Sequence, residues 1–305
     1  MEAASRLDIE LSNLAQAAER TAKCVDAARA AIANYLGREP GHDGKLENGP
    51  VIVAFGSIAR QEMAPDSDFD YLVILNQLES DPQQIQRYRQ AANEALKALD
   101  LSPPGRSGLF GCAISGTDLV NTIGLDADTN LHLSRRILLL EESLGLNDVN
   151  QHERLVEAIV ARYLHEHHSK NRVPRFLLND VIRYWRTIAV DYQAKRWDAP
   201  EDKKLGLRYV KLITSRKLTF AGMIASLFFP AITNQEPTPT LLAEQCALPE
   251  YPNPLDAPPD SIVQEARQNA EVLQTSLENL FYSTDPIMQN PQVSLGSLAK
   301  RYLSF

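Results

Sequence analysis

Two short segments in the first third of the chain are hydrophobic at every position. Val51–Phe55 and residues 71–75 are apolar on both of the alternating faces that a strand presents. Strands of this kind are buried on both sides of a sheet. Hydrophobic residues recur at helical spacing before these segments, over residues 5–36, and after them, over residues 83–99. The pattern predicts a small sheet packed against helices.

The pattern changes near residue 131, after which helical spacing dominates. The periodic segments are residues 134–142, 153–165, 174–195, 203–229 and 259–281. A proline-rich connector lies between residues 229 and 259 and contains a short apolar helix at residues 241–246. Before residue 131, further strand elements are predicted at residues 109–114 and 119–123.

These elements indicate an α+β protein with three parts. We predict an N-terminal helix over residues 1–40, a small mixed β-sheet domain over residues 41–145, and an all-helical domain over residues 146–305. A chain of 305 residues is long enough for two domains, each with its own core.

Composition narrows the classes of function. The net charge of −8 disfavours a general nucleic-acid binder, but it is compatible with a local basic pocket for a small polyanion such as a nucleotide. No apolar run approaches the roughly 20 residues that span a bilayer, so we expect no membrane partner. The acidic N-terminal segment does not resemble a secretory signal. Three widely spaced cysteines favour free thiols in the cytoplasm.

Two acids, Asp68 and Asp70, stand at the head of the second hydrophobic strand. Residues i and i+2 of a strand share a face, so both carboxylates point the same way while Phe69 points into the core. Two like charges at a buried strand end repel unless a cation lies between them. Mg²⁺, or Mn²⁺ in its place, fits this requirement because it prefers carboxylate and phosphate oxygens.

Gly56 and Ser57 follow the first hydrophobic strand directly. Glycine has no Cβ, so the backbone can approach a ligand closely. Ser57 offers a hydroxyl and an amide at what we predict to be a helix N-terminus, a favourable place for phosphate oxygens. If the two strands are neighbours, a phosphate seat and a pair of metal ligands lie within the span of a triphosphate.

The run GSIARQEMAPDSDFD, from Gly56 to Asp70, resembles the signature of the polymerase-β-like nucleotidyltransferase superfamily. Its ARQE and SDFD parts are similar to the run found in bacterial uridylyl- and adenylyltransferases that modify signal proteins, and in minimal nucleotidyltransferases. The resemblance implies a palm-like sheet followed by a helical bundle, and a Mg²⁺-dependent transfer from ATP or another nucleoside triphosphate. It also implies that Arg60 and Glu62 join Gly56 and Ser57 in binding the nucleotide.

The same resemblance implies a third carboxylate on a later strand, often the group that helps to deprotonate the attacking hydroxyl. Asp118 lies where the next strand is expected, and Asp128 precedes a helix that carries Arg135 and Arg136. Asp128 would also serve as a helix N-cap. Asp118, Asp128 and the absence of any third acid stay open as alternatives.

Basic residues cluster between residues 170 and 217, although the chain as a whole is acidic. Arg208 and Lys211 share one face of a predicted helix and could neutralise a triphosphate. The opposite faces of this helix and of the one before it are predicted to be core. Their apolar residues are Leu178, Ile182, Trp185 and Ala189, then Leu207, Val210, Ile213 and Leu218.

The leading hypothesis is an enzyme that transfers a nucleoside monophosphate to a hydroxyl and releases pyrophosphate. The acceptor would be a protein side chain or a small molecule, and long nucleic acid is disfavoured by the acidic charge. One alternative is a nucleotide-binding sensor or interaction module with an incomplete catalytic set. Another is a synthase of oligonucleotides or cyclic nucleotides.

Overall fold

The computed structural model describes residues 12–37, 49–65, 67–76, 81–105, 108–165, 173–198, 205–233 and 235–246. The strands are β1 (Val51–Phe55), β2 (Asp70–Leu75), β3 (Ala113–Ser115) and β4 (Ser143–Gly145). The helices of the first half are α1 (Ser12–Leu36), α2 (Pro82–Leu99), α3 (Gly116–Asn121) and α4 (Asn130–Glu141). The later helices are α5 (Val149–His165), α6 (Arg175–Asp198), α7 (Leu205–Lys211), α8 (Lys217–Ile232) and α9 (Pro239–Cys246). The π-helical turn Leu212–Arg216 joins α7 to α8.

The strands form one mixed sheet with the order β3-β2-β1-β4. β1 pairs antiparallel with both β2 and β4, and β2 pairs parallel with β3. All five residues of β1 and the four central residues of β2 are buried, as their unbroken hydrophobicity predicts. An α+β fold with two central hydrophobic strands is therefore confirmed.

Helices α1 and α2 cover one face of this sheet. Ala28 and Ile32 of α1 lie in one buried cluster with Ile52 of β1, Tyr71 of β2 and Tyr88 of α2. α2 begins where Asp81 accepts a hydrogen bond from the Gln83 amide at 2.9 Å, with Pro82 in the first turn. α1 is thus an integral part of the sheet's core.

Two predicted strands differ from the structure. The first is shorter than predicted and shifted, since β3 comprises only Ala113–Ser115. Residues 119–121, the start of the second, belong to α3, where the Ser115 hydroxyl caps the helix by accepting a hydrogen bond from the Asp118 amide at 3.1 Å. β4 was not predicted, because three residues are too few to show a strand pattern.

The chain divides into two compact units. The first takes in the described residues of Met1–Ser169, Pro174–Tyr184 and Pro237–Glu250. The second takes in the described residues of Lys170–Val173, Trp185–Glu236 and Tyr251–Phe305. The first unit therefore includes α1 and continues past residue 145 through α5, α9 and the first part of α6. The predicted helix at residues 259–281 lies outside the described residues.

The expected core faces of α6, α7 and α8 are wrong. On α6 the buried residues are Leu177, Asp180, Val181 and Tyr184, one position away from the predicted row. The exposed apolar residues include Ile182, Leu207, Val210, Ile213 and Leu218. The physical reason on α6 is that Asp180 is drawn inward by hydrogen bonds, which turns a polar residue toward the core.

The run from Leu205 to Ile232 combines α7, the π-helical turn and α8. Among the described helices it is long and apolar enough to cross a membrane by length and composition, and 17% of its apolar stretch is buried. This corrects the expectation that no segment reaches that length. The segment meets this test by length and composition alone, and the absence of a membrane partner stays a prediction.

Candidate active site

The end of β1 and the start of β2 lie side by side. Phe55 pairs with Asp70 in the antiparallel register, so Gly56 follows directly beside the Asp70 side chain. Gly56 has a φ of +71°, and a Cβ built on it would lie 3.8 Å from Asp70 Oδ2. The fold thus places Gly56 beside Asp70, while the approach of Ser57 and of Asp68 to this point stays a prediction.

The alternation along the start of β2 follows the prediction. Phe69 is fully buried, and its ring centroid lies 5.8 Å from that of Tyr71 in the core beneath α2. Asp68 is exposed and Asp70 is half-buried. Asp70, the first residue of β2, therefore lies on the opposite side of the strand from Tyr71 and the Phe69 ring that packs on it. Asp68 is open to solvent, while Asp70 stands against the glycine turn.

Residues 56–61 form a turn and not the expected helix N-terminus. The Arg60 amide donates to the Gly56 carbonyl at 2.9 Å, and the Glu62 amide donates to the Ser57 carbonyl at 2.9 Å. Gln61 has a φ of +58°, a left-handed conformation that stops a regular helix from forming. Any phosphate contact at Ser57 would therefore use the amides and the hydroxyl of a turn.

Arg60 forms ion pairs with two carboxylates. Its Nε donates to Glu62 Oε1 at 2.6 Å, and its Nη1 pairs with Glu142 Oε2. Burial alone would lower the pKa of Arg60, but the Glu142 and Glu62 carboxylates together raise it. Arg60 and Glu62 were both predicted to bind the nucleotide. In the structure their opposite charges already neutralise each other in part.

Asp118 lies at the opposite end of the sheet from Asp70. β3 runs parallel to β2 and places Ser115 beside Leu75, and α3 begins immediately afterwards. Five residue steps along a strand span about 17 Å. The structure therefore does not bring Asp118 to the acids at the head of β2.

Asp128 is held in a structural ion pair. Its two carboxylate oxygens accept from Arg136 Nη1 at 2.9 Å and from Nη2 at 2.7 Å, and the Arg136 side chain is fully buried. Asp128 precedes α4, whereas the end of α4 leads into β4 beside Phe55. A 12-residue helix is about 18 Å long, so Asp128 lies far from the head of β2.

An aromatic residue lies near Asp70 on the side of β3. The Gly111 amide donates to the Tyr71 carbonyl at 2.7 Å, so the chain just before β3 runs along β2. The Phe110 ring packs on Phe55, with 5.3 Å between centroids.

Of the alternatives for a third acid, neither Asp118 nor Asp128 reaches the strand ends.

The corner between α4 and β4 contains acids that sequence reasoning missed. Glu142 reaches Arg60, as described above, and Glu141 is buried with Oε1 unpaired among the described residues. Burial, followed by the nearby Glu142 charge, raises the pKa of Glu141 to about 8. A signal for both was available: carboxylates at a helix C-terminus oppose the helix dipole, so a buried one requires a cationic partner or a proton.

The remaining predicted residues lie elsewhere. Arg208 and Lys211 belong to α7 in the second unit, where Arg208 is half-buried and Lys211 is exposed. Their predicted contact with the triphosphate stays a prediction.

A metal ion at the strand ends would have two carboxylate ligands from the described part of the chain. Across the described ranges no group of three or more His, Cys, Asp or Glu side chains is arranged to hold a metal ion. Asp68 and Asp70 nevertheless offer hard oxygen donors two residues apart in the chain, and the missing Cβ at Gly56 leaves room beside Asp70. This set fits Mg²⁺, which commonly combines one or two carboxylates with substrate phosphates and water.

Comparison with known families bears on this segment of the chain. Residues 45–105 match the family model of the nucleotidyltransferase domain. The matched segment contains β1, the Gly56-Ser57 turn, both acids and α2, which supports nucleotidyl transfer as the general class of activity within the polymerase-β-like superfamily. No curated protein and no solved structure shows significant similarity to the chain. The particular branch stays a prediction.

Proposed function

We propose that this protein is a Mg²⁺-dependent nucleotidyltransferase. It moves a nucleoside monophosphate from a triphosphate such as ATP to a hydroxyl and releases pyrophosphate. The observation that carries the proposal is the meeting of Gly56 and Asp70 at the paired ends of β1 and β2, inside the segment that matches the nucleotidyltransferase domain.

Asp68 and Asp70 would hold the metal ion, which supplies positive charge to neutralise the phosphates and the departing pyrophosphate. The amides and hydroxyl of the Gly56-Ser57 turn bind the terminal phosphates. In the reaction the acceptor oxygen bonds to the α-phosphorus, and the bond from that phosphorus to the pyrophosphate oxygen breaks. The acceptor's proton passes to a carboxylate at the strand ends or to water.

The acceptor is a protein side chain or a small molecule in this proposal. The net charge of −8 continues to disfavour long nucleic acid as the acceptor.

The decisive experiment follows label from each α-labelled triphosphate into protein or small-molecule products of a cell lysate. Asp70→Asn and Asp68→Asn should lower transfer by about a hundredfold or more, which corresponds to roughly 2.7 kcal/mol of barrier. Asp26→Asn, at an exposed acid on α1, is the matched control and should retain transfer. Equal transfer by wild type and Asp70→Asn would overturn the proposal.

A nucleotide-binding sensor is the second candidate. The observation in its favour is that neither Asp118 nor Asp128 joins Asp68 and Asp70. A sensor would be stabilised against heat by a triphosphate with Mg²⁺ and would release no pyrophosphate. A synthase of oligonucleotides or cyclic nucleotides would instead release pyrophosphate from triphosphate alone, without any acceptor in the lysate.

A further inference from the structure

Arg60 and Glu142 connect two strand ends that are distant in sequence. Arg60 belongs to the turn after β1, and Glu142 lies directly before β4. Phe55 pairs with Ser143 in the β1–β4 register, so the two segments lie side by side. The Arg60 side chain is 18% exposed and that of Glu142 is 14% exposed, which makes this a largely desolvated ion pair.

The ion pair compensates a charge on each segment, although Arg60 also has Glu62 as a second partner. Glu142 follows the C-terminus of α4, where the helix dipole disfavours a carboxylate, and it is next to the buried Glu141. Arg60 is likewise largely removed from solvent, at 18% exposed, and lies next to Gln61, whose left-handed backbone strains the turn. A buried charge that loses its partner is strongly destabilised, so the pair constrains both segments.

Glu62 makes a different contribution to the same cluster. It contacts Arg60 within the turn at 2.6 Å, and its side chain is 36% exposed. A contact between residues two positions apart cannot anchor the turn to the rest of the fold. Of the two ion pairs that Arg60 makes, the one with Glu142 joins the turn to the α4–β4 corner.

We propose that Glu142 is a positioning residue: through its ion pair with Arg60 it holds the Gly56-Ser57 turn beside Asp70, in the form that binds the triphosphate. The inference rests on the proposed function, because the turn is the seat proposed for the terminal phosphates. It assigns Arg60 chiefly to shaping this seat, and it assigns Glu142 a role outside the segment that matches the nucleotidyltransferase domain.

The first measurement is kinetic. Glu142→Gln should raise the KM for the triphosphate about tenfold, which is equivalent to about 1.4 kcal/mol, while kcat changes much less. Glu62→Gln should change the KM less, because that carboxylate is more exposed, at 36%, and its ion pair with Arg60 lies within the turn itself. Glu142→Asp keeps the charge and should lie between wild type and Glu142→Gln.

The second measurement does not depend on activity. Amide hydrogen exchange of the free protein should speed up at Arg60 and Glu62 in Glu142→Gln, since their amides donate the hydrogen bonds that close the turn. Glu153→Gln, at an exposed acid on α5, is the matched control and should leave exchange in the turn unchanged. If Glu142→Gln does not fold, Glu142→Asp supplies the same two measurements.

The outcomes separate this inference from the proposed function. Faster exchange in the turn of Glu142→Gln, alongside a wild-type protein that transfers no label, would support the positioning role and overturn the proposed function. Unchanged exchange and an unchanged KM in an active Glu142→Gln protein would overturn the positioning role alone. A fall in kcat with no change in KM or in exchange would also overturn it.

Discussion

Gly56 combines a left-handed backbone with a position against a carboxylate. Its φ of +71° is readily adopted only by glycine, and no side chain separates it from Asp70 Oδ2. Gly124 has a φ of +74°, and a Cβ added there would meet nothing within 4 Å, so it shares the strain but not the neighbour. Comparison of the two glycines therefore separates the effect of the left-handed backbone, which both share, from the effect of a side chain beside Asp70, which concerns Gly56.

Gly56→Ala and Gly124→Ala should each lose about 1–2 kcal/mol of unfolding free energy, because alanine is strained in this conformation. Only Gly56→Ala should also lose transfer activity, by about tenfold in kcat/KM, since its methyl group occupies the approach to Asp70. Urea unfolding and label transfer measure the two effects. Equal activity in both variants would show that the space beside Asp70 is not used.

At the scale of elements, a buried polar network ties α4 to α5 and α6. Arg136 on α4 pairs with Asp128 and donates to the Tyr163 hydroxyl on α5 at 3.1 Å. That hydroxyl donates to Asp180 on α6 at 2.7 Å, and Arg183 pairs with the same carboxylate at 3.0 Å. All of these residues belong to the first unit. The network gives Arg136, which is fully buried, the partners that its charge requires.

Asp128→Asn should therefore act on stability. It leaves Arg136 with a partner 3.7 Å away at Asp180, and breaking a buried pair typically costs about 3–5 kcal/mol. Asp126→Asn, at an exposed neighbour, should change the unfolding free energy by less than about 0.5 kcal/mol. Chemical denaturation measures both. An Asp128→Asn protein with wild-type stability and no transfer activity would instead support a role for Asp128 as a third catalytic acid.

At the scale of the whole molecule, Glu141 makes stability depend on pH. Its carboxyl is buried, and its pKa rises from an ordinary 4.5 to about 8, chiefly through burial and secondly through the Glu142 charge. Burial, and secondly the Glu141 charge, raise the pKa of the Cys246 thiol on α9 to about 12. A raised pKa means that the folded state holds a proton that the unfolded state has already lost.

The folding free energy that this proton contributes is fully present below about pH 4.5 and is lost as the pH rises through about 8. Wild-type protein should thus lose stability on the order of a few kcal/mol between pH 5 and pH 8. Glu141→Gln should remove this slope. Urea unfolding across that range measures both proteins, and parallel curves would contradict the assignment.

The same whole-molecule curve has an opposing contribution at low pH. Burial lowers the pKa of His152 to about 4, and its Nε2 lies 2.6 Å from the Ser143 hydroxyl. The free energy of folding that the neutral His152 contributes is present above about pH 6.5. It is lost as the pH falls toward 4, in both wild type and Glu141→Gln. Comparison of the two proteins therefore isolates Glu141.

The sequence by itself determined β1, β2, α2 and the meeting of Gly56 with Asp70. These follow from local rules: unbroken hydrophobicity makes a central strand, alternation separates Phe69 from the acids, and a capped amphipathic segment makes α2. The run from Gly56 to Asp70 holds the motif whose family resemblance the domain match supports in general terms. Everything needed for that part of the site is close in the chain.

Only the tertiary structure decided which distant charges meet. Arg60 lies 82 positions from Glu142, and Asp128 serves Arg136 instead of joining Asp70. Helical spacing also predicted the wrong buried row on α6, because Asp180 turns inward to Tyr163. Periodicity reports only where apolar residues recur along a chain. A buried charge takes its partner from whatever element packs against it, and that choice is made by the fold.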